Sequence, residues 1–413
     1  MLRNYLLTAY KVFMRRKLFT AINLMCIVLT LVVLMVFTAM LENAFFPSGV
    51  EGKSDRFLQV AIMRASSSDN QQISTSPMGY KLIDTYIKPL ESVERVAVLS
   101  RPRSVAVYQE GRVSALDMRL VDANYWKVLD FTLLAGRLPT IEDEEQGRLV
   151  TVINQTSAAR LFGATGAVGQ TVSVSGQRLQ VIGVVRDEMH FNAYADMWAP
   201  ITTSPSTSYK HEMLGTFTVL LLARDKADLP MIRKDIAAVA KTVQFNDAKT
   251  YNTVRFWADD KLDLFSRMTM GSMEHENSGA AKLLAVLGTL MLLFMILPAL
   301  NLVNLNMGRI AERSAEIGVR KAFGATSWQL VGQLVVENML LCLAGGVIGL
   351  ACAQAVLMWI EYAGVIPYLR LSINYAVMAY GLVITIIFGL LSGVLPAWKM
   401  SRLDPVHALK GSA

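Results

Sequence analysis

The sequence predicts a membrane protein: four transmembrane helices, with a large α+β extracytoplasmic domain inserted between helices 1 and 2. Three observations lead there. Of the 413 residues, 53% are hydrophobic and only 18% are charged, against about a quarter charged in soluble domains, and the mean hydropathy is +0.38. Four stretches carry no charge, between Lys17 and Glu42, Lys282 and Arg309, Glu337 and Glu361, and Arg370 and Lys399. Basic residues gather at alternate ends of these stretches. The same balance excludes a disordered chain, which needs low hydrophobicity and high charge. Three cysteines exclude a disulfide framework. The net charge of +7 sits beside apolar runs, which is a membrane pattern and not that of a nucleic-acid binder.

The shortest charge-free stretch, 338–360, has 23 residues, and about 20 apolar residues span the hydrocarbon core. The expected spans are 18–42, 283–308, 338–360 and 374–398. A cleaved signal peptide does not suit the first, because Ala21–Leu41 exceeds a signal core of about 7–15 residues and no small-x-small site follows. Orientation follows from the basic residues. Arg3, Lys11, Arg15, Arg16 and Lys17 occupy segment 1–17 without an acid. Arg309, Arg313, Arg320 and Lys321 follow the second span, and Lys399, Arg402 and Lys410 follow the fourth. Both termini are therefore expected in the cytoplasm, with residues 43–278 outside it. Cys26, Cys342 and Cys352 all fall in spans and read as small apolar packing residues.

The inserted segment alternates short strands with a few helices. Val96–Leu99, Ser104–Gln109, Arg112–Val121 and Thr216–Leu222 read as strands, with a turn at Glu110-Gly111. Thr171–Val174 and Leu179–Val185 read as a hairpin about Ser175-Gly176. The charge-free run Leu161–Gln177 is rich in glycine and reads as turns and a strand. Asp228 is placed to cap a helix carrying Leu229, Ile232, Ile236, Val239 and Val243 on one face. Ser76-Pro77 is expected to start another, carrying Tyr80, Ile83 and Ile87. Together these make an α+β domain of two lobes. The acid cluster Glu142–Glu145 lacks ligand spacing and reads as a solvated loop.

Chemistry-bearing motifs are incomplete. Among the four histidines, His211-Glu212 and His275-Glu276 begin like a zinc-protease helix, but neither has a second histidine four residues on. Gly52-Lys53-Ser54 ends like a phosphate-binding loop, yet Pro47 stands where the first glycine belongs. Leu391-Ser392-Gly393 lies inside a span. No catalytic residue, metal site or cofactor is expected on this chain. The spans lack Asp, Glu, Lys, Arg and His, which ion-coupled transporters keep within the membrane. Gly345 with Gly349, and Gly389 with Gly393, form small-xxx-small pairs that permit close helix packing, within one subunit or between two.

The segment after the second span, Arg309–Thr326, continues a helical period out of the membrane through Ile310, Ser314, Ile317 and Lys321. Gly324 suits a helix C-terminus, and Thr326 with Gln329 has capping-box spacing. The chain should make a helical elbow at the cytoplasmic surface, suited to lying on the membrane or docking a soluble partner. Glu312-Arg313-Ser314-Ala315-Glu316-Ile317-Gly318-Val319-Arg320-Lys321-Ala322-Phe323-Gly324-Ala325 resembles the "ER..EIG.RKA.GA" motif of MacB/FtsX-type ABC transporter permeases. Glu337, Gly345-Gly346 and the ending Pro396–Leu409 fit the continuing pattern. Asn124-Tyr125-Trp126, Gly136-Arg137, Val152-Ile153-Asn154, Ala159–Gly163 and Val181–Val185 resemble the MacB-like periplasmic core.

That resemblance implies a type VII ABC architecture: a MacB-like core over 43–278 and an FtsX-like permease domain over 279–413. By position it makes Glu316, Ile317, Gly318, Arg320, Lys321, Gly324 and Ala325 the residues that couple to an ATPase. MacB carries its ATPase fused at the N-terminus, whereas segment 1–17 is short, so a separate ATPase chain is expected, with ATP and Mg bound there. Other expected partners are a second permease copy or paralogue, the lipid bilayer, and a periplasmic adaptor with an outer-membrane channel; nucleic acid is not among them. The expected setting is the bacterial inner membrane. The implied function is MacB-like export; lipoprotein release and FtsX-like control of cell-wall hydrolases are the alternatives within the family. A sensor receptor would need a cytoplasmic signalling domain, for which no cytoplasmic segment is long enough.

Overall fold

The computed structural model describes residues 13–15, 17–67, 71–109, 111–163, 166–245, 250–271, 275–312 and 326–364, with isolated positions between 379 and 390. The chain divides into two compact units. One is formed by residues up to Glu42 and by Leu284–Ile366, the other by Asn43–Leu283.

The first long helix, α1 (Lys17–Phe45), leads into the inserted unit. Thirteen strands follow: β1 (Phe57–Val60), β2 (Met63–Ser66), β3 (Ile73–Ser76), β4 (Arg95–Ser100), β5 (Arg103–Gln109), β6 (Arg112–Val121), β7 (Leu133–Gly136), β8 (Val150–Asn154), β9 (Thr171–Val174), β10 (Gln177–Val185), β11 (Met197–Pro200), β12 (Phe217–Leu222) and β13 (Thr253–Phe256). The main sheet runs β1-β12-β4-β6-β11-β8-β10-β9-β5, with β7 added to β10. β5 also pairs with β6, so β6, β11, β8, β10, β9 and β5 close on themselves as a ring. β4, β12 and β1 extend from it as a tail. A separate sheet pairs β13, β2 and β3.

The tail strands are buried on both faces, which suits their mostly apolar sequences. In β12, Val219 and Leu221 join one core with Leu58, Val60, Val96 and Val98. Their neighbours Leu220 and Leu222 join a second core with Phe57, Ala97, Leu99 and Trp198. The alternation follows from the two-residue period of a strand. Tyr125, Trp126, Phe131 and Trp198 meet in tilted and edge-to-face contacts within the second core. The β9–β10 turn is Ser175-Gly176, at φ 50° and 81°. Two successive left-handed residues are what a two-residue hairpin demands, and glycine takes one at no steric cost.

The helices of this unit are α2 (Tyr80–Leu82), α3 (Tyr125–Val128), α4 (Ile141–Glu145), α5 (Gln155–Phe162), α6 (Leu229–Thr242) and α7 (Lys261–Met270). Three differ from expectation. Ser76 ends β3 instead of opening a helix, because 73–76 pair with β2 and Met78 bridges to Leu214 and Phe217. The helix starts at Tyr80 and widens into a π turn, Ile83–Ile87. The cap before α6 falls at Asp225, whose carboxylate accepts from Ala227 N in a box closed by Asp228; Asp228 itself makes no side-chain cap. The acid cluster is a capped helical turn, not a solvated loop. Asp143 is buried, and its carboxylate accepts from Arg137, Arg148 and Thr140. These donors, Arg137 foremost, hold its carboxyl well below the usual carboxylate range.

After the insert come α8 (Ala280–Glu312) and α9 (Ser327–Tyr362). Thr20–Phe45 and Val335–Tyr362 are long and apolar enough to cross a bilayer, and Ala280–Ile296 is a shorter apolar stretch within α8. The fourth expected span, 374–398, falls almost wholly outside the described residues. A Cβ on Gly345 would lie 2.7 Å from Ile27 Cγ2, and one on Gly349 would lie 3.1 Å from Leu31 Cβ. Both contacts advance by one turn in the same direction, so α1 and α9 run parallel. Glu337 directly precedes the expected third span. It lies inside the apolar stretch of α9, 2% exposed, because α9 begins well before it.

Asp122 gives this unit a pH dependence. Burial, with the Glu144 charge adding to it, pushes its carboxyl up to about 7. The native state then holds a proton that the unfolded chain has released, so Asp122 costs progressively more stability as pH rises from about 4 through 7. Asp122→Asn removes that cost. Thermal unfolding of wild type and variant should show a gap that widens, in the variant's favour, by about 2 kcal/mol from pH 5 to pH 8.

Candidate functional site

The insert follows α1 and precedes α8, which leaves it two connecting segments. Both connections are fastened to α7. Asp260 caps this helix by accepting from Asp263 N at 2.8 Å, and Gly271 ends it in the left-handed region. Lys261, Leu264, Ser266 and Arg267 are turned inward.

The exit from α1 is held by Lys261. Its ammonium lies 2.7 Å from Glu51 Oε2, with the two side chains 6% and 1% exposed. It also donates to the Phe46 carbonyl. Glu51 Oε1 accepts from Asn192 N at 2.9 Å, so the carboxylate is held from two sides. The rings of Phe45 and Phe265 meet edge-on at 5.4 Å. The entry to α8 is held by Arg267. Its guanidinium binds Asp259 bidentately at 2.7 and 2.9 Å. It also donates to the His275 and Glu276 carbonyls. Ser266 donates to the Ser278 carbonyl, and Ser278 Oγ donates to Asp263 at 2.6 Å. Asp259 exchanges backbone hydrogen bonds with Gln59 of β1, which ties the cluster to the main sheet.

Buried ion pairs and backbone acceptors together make this a clasp on the two connecting segments. Its carboxylates are neutralised by Lys261 and Arg267, and among the described residues no His, Cys, Asp and Glu group is placed to hold a metal. A cavity of ≈ 440 Å³ beside it is lined by Arg233, Trp257, Asp263 and Arg267 among others. Arg233 there already pairs with Asp260 and Asp263. His275 and Glu276 act through their carbonyls. Lys53, from the phosphate-loop fragment, pairs with Asp130.

The elbow residues Glu316, Ile317, Gly318, Arg320, Lys321, Gly324 and Ala325 lie outside the described residues, as do Gly389 and Gly393. Gly345 and Gly349 pack against α1. Sequence reasoning missed Glu51, Asp259, Lys261 and Arg267. The run Asp259-Asp260-Lys261 with Asp263 signals a helix start, but the Glu51 partner is too distant in sequence to be paired by pattern.

The architecture is an apolar helical unit with a large α+β domain inserted where its first helix ends, a combination compatible with a membrane permease. The model of the MacB-like periplasmic core domain matches residues 20–239, 220 of the 413 residues, and that of the FtsX-like permease C-terminal region matches 288–405. The chain belongs to the MacB/FtsX family of type VII ABC transporter permeases, inner-membrane proteins with a periplasmic core domain. It is 25% identical over 332 residues to the uncharacterized ABC transporter permease YknZ of Bacillus subtilis, covering 78% of this chain and 77% of that one. It is 25% identical over 293 residues to the macrolide export ATP-binding/permease protein MacB of Neisseria gonorrhoeae, covering 70% of this chain but 42% of that longer protein. The solved periplasmic region of MacB from Actinobacillus actinomycetemcomitans covers 53% of this chain and 95% of its own, at 13% identity and a TM-score of 0.39.

Lys261→Met strands the buried Glu51 charge and should cost about 3–5 kcal/mol. Glu51→Gln with Lys261→Met keeps the acceptor for Asn192 N and removes both charges. Denaturant unfolding should show that the double variant recovers most of the loss.

Proposed function

We propose that this chain is the permease subunit of an ABC transporter that performs MacB-like export, driven by a separate cytoplasmic ATPase. ATP binding draws two ATPases together beneath the elbows of a permease dimer. The helices carry that movement outward, and the periplasmic domains change position around the cargo. The observation that carries this reading is the clasp. One ten-residue helix, α7, grips both the segment after α1 and the segment before α8 through a cluster built on buried ion pairs, the kind of anchorage that this scheme calls for. A two-state element whose populations ATP shifts is sufficient, and no polar path through the bilayer is needed. Export is favoured over lipoprotein release or hydrolase control by the MacB relative's printed role.

Glu316, Ile317, Gly318, Arg320, Lys321, Gly324 and Ala325 form the ATPase-coupling elbow in this scheme. Purifying the full chain in mild detergent should bring down an ABC ATPase and a second permease subunit. Recovering neither would refute the transporter reading. Glu316→Lys and Gly324→Val should insert normally and retain ATP hydrolysis by the complex, while the ATP-dependent change in protease protection of the periplasmic domain falls roughly tenfold, ~1.4 kcal/mol of coupling. Unaltered protection changes in both variants would remove the elbow from the mechanism.

A further inference from the structure

We propose that a small monovalent anion, of the size of chloride, is held inside the inserted unit by Arg119, Asn192 and Trp198. The three residues are 4%, 1% and 0% exposed. Each carries a buried N–H that donates to no group among the described residues: Arg119 Nε, Asn192 Nδ2 and Trp198 Nε1.

The fold brings these donors together. Arg119 of β6 pairs in register with Trp198 of the parallel strand β11, so the two side chains leave neighbouring positions on one face. Two residues on, Val121 belongs to the second core, as Trp198 does. The two-residue period therefore puts a guanidinium where an apolar side chain is expected. From there Arg119 Nη2 donates to the Phe191 carbonyl at 3.2 Å, one peptide before Asn192. Tyr125 closes the group. Its hydroxyl donates to the Asn192 carbonyl at 2.9 Å, and Arg119 and Trp198 both act on it. Trp198 Nε1 lies near that hydroxyl without making a hydrogen bond of ordinary geometry to it.

Charge decides the occupant. Two buried cations, Arg119 and Lys261, share one carboxylate, that of Glu51. Lys261 takes Glu51 Oε2 at 2.7 Å, and Oε1 accepts from Asn192 N at 2.9 Å. Arg119 feels Glu51 only through space. Burial makes its charged form costly, yet a guanidinium keeps its proton in proteins. A buried charge in this position needs a counter-charge and hydrogen bonds to match. The free groups are all donors, so the occupant accepts hydrogen bonds and carries negative charge. Water accepts but brings no charge. A halide-sized anion supplies both, and the burial of every group around it argues for a small ion. Bound there, it joins β6, β11 and the loop at 191–192, and it leaves Glu51 to Lys261.

Thermal unfolding of the full chain in a nonionic detergent tests this, with sodium chloride exchanged for sodium gluconate at constant ionic strength. A ligand that binds the native state raises Tm with the logarithm of its concentration once that exceeds Kd. Wild-type Tm should rise as chloride, or bromide, replaces gluconate. Arg119→Met removes the charge and should make Tm indifferent to the exchange. Asn192→Ala removes one donor and keeps the backbone bonds to Glu51 and Tyr125, so its rise should begin at roughly tenfold higher chloride. If Arg119→Met does not fold, Asn192→Ala decides alone. Equal wild-type Tm in chloride and gluconate would overturn the proposal and assign the donors to buried water. An onset unmoved by Asn192→Ala would overturn it as well, and so would a chloride response retained by folded Arg119→Met.

Discussion

Glu51 and Lys261 face each other at 2.7 Å with almost no access to water, and the connection between the first helix and the inserted domain depends on that pair. Two charges brought out of water are stable only when each is matched and its remaining hydrogen-bonding capacity is used. Asn192 N supplies a further donor to Glu51, and the Phe46 carbonyl a further acceptor for Lys261. Arg267 and Asp259 repeat the arrangement on the returning connection. An apolar contact could supply comparable stability, but it would fix position less sharply. Directional bonds to named backbone carbonyls hold each connection in one register against α7.

The sheet behind the clasp is continuous with it. Asp259 joins β1 through paired backbone hydrogen bonds, and β1 continues through β12 and β4 into the closed ring of six strands. The tail strands are buried on both faces. Bending them would open two cores at once, so a displacement entering at β1 moves the domain as a body. Densely packed interiors respond in this way because they deform little.

The sequence carried the membrane helices, the strand pattern and the family, because each rests on local information. Charge-free runs mark candidate spans, an apolar run marks β4, and alternation marks β5. Positive φ falls on glycine where a turn demands it, as at Gly176. What stayed hidden depends on contacts between distant segments. Ser76 looks like a helix start until β3 is seen paired with β2. Asp143 looks like one acid among four until Arg137 and Arg148 converge on it. Neither Glu51 nor Lys261 is unusual in isolation; only the fold brings position 51 beside position 261. The expected coupling elbow is the reverse case. Its motif is the clearest in the sequence, and its residues fall outside those the structure describes.

Glu337 bears on how the helices move. A carboxyl group in an apolar helix is expensive unless it faces other protein groups, and this one is buried where α9 lies along α1. Higher on the same pair, Gly345 and Gly349 let Ile27 and Leu31 approach so closely that no larger residue fits without displacement. A polar group at one end and a knobs-on-glycine contact at the other restrict sliding between the two helices more than either would alone. α1 and α9 are thereby held in one register along the described part of their contact.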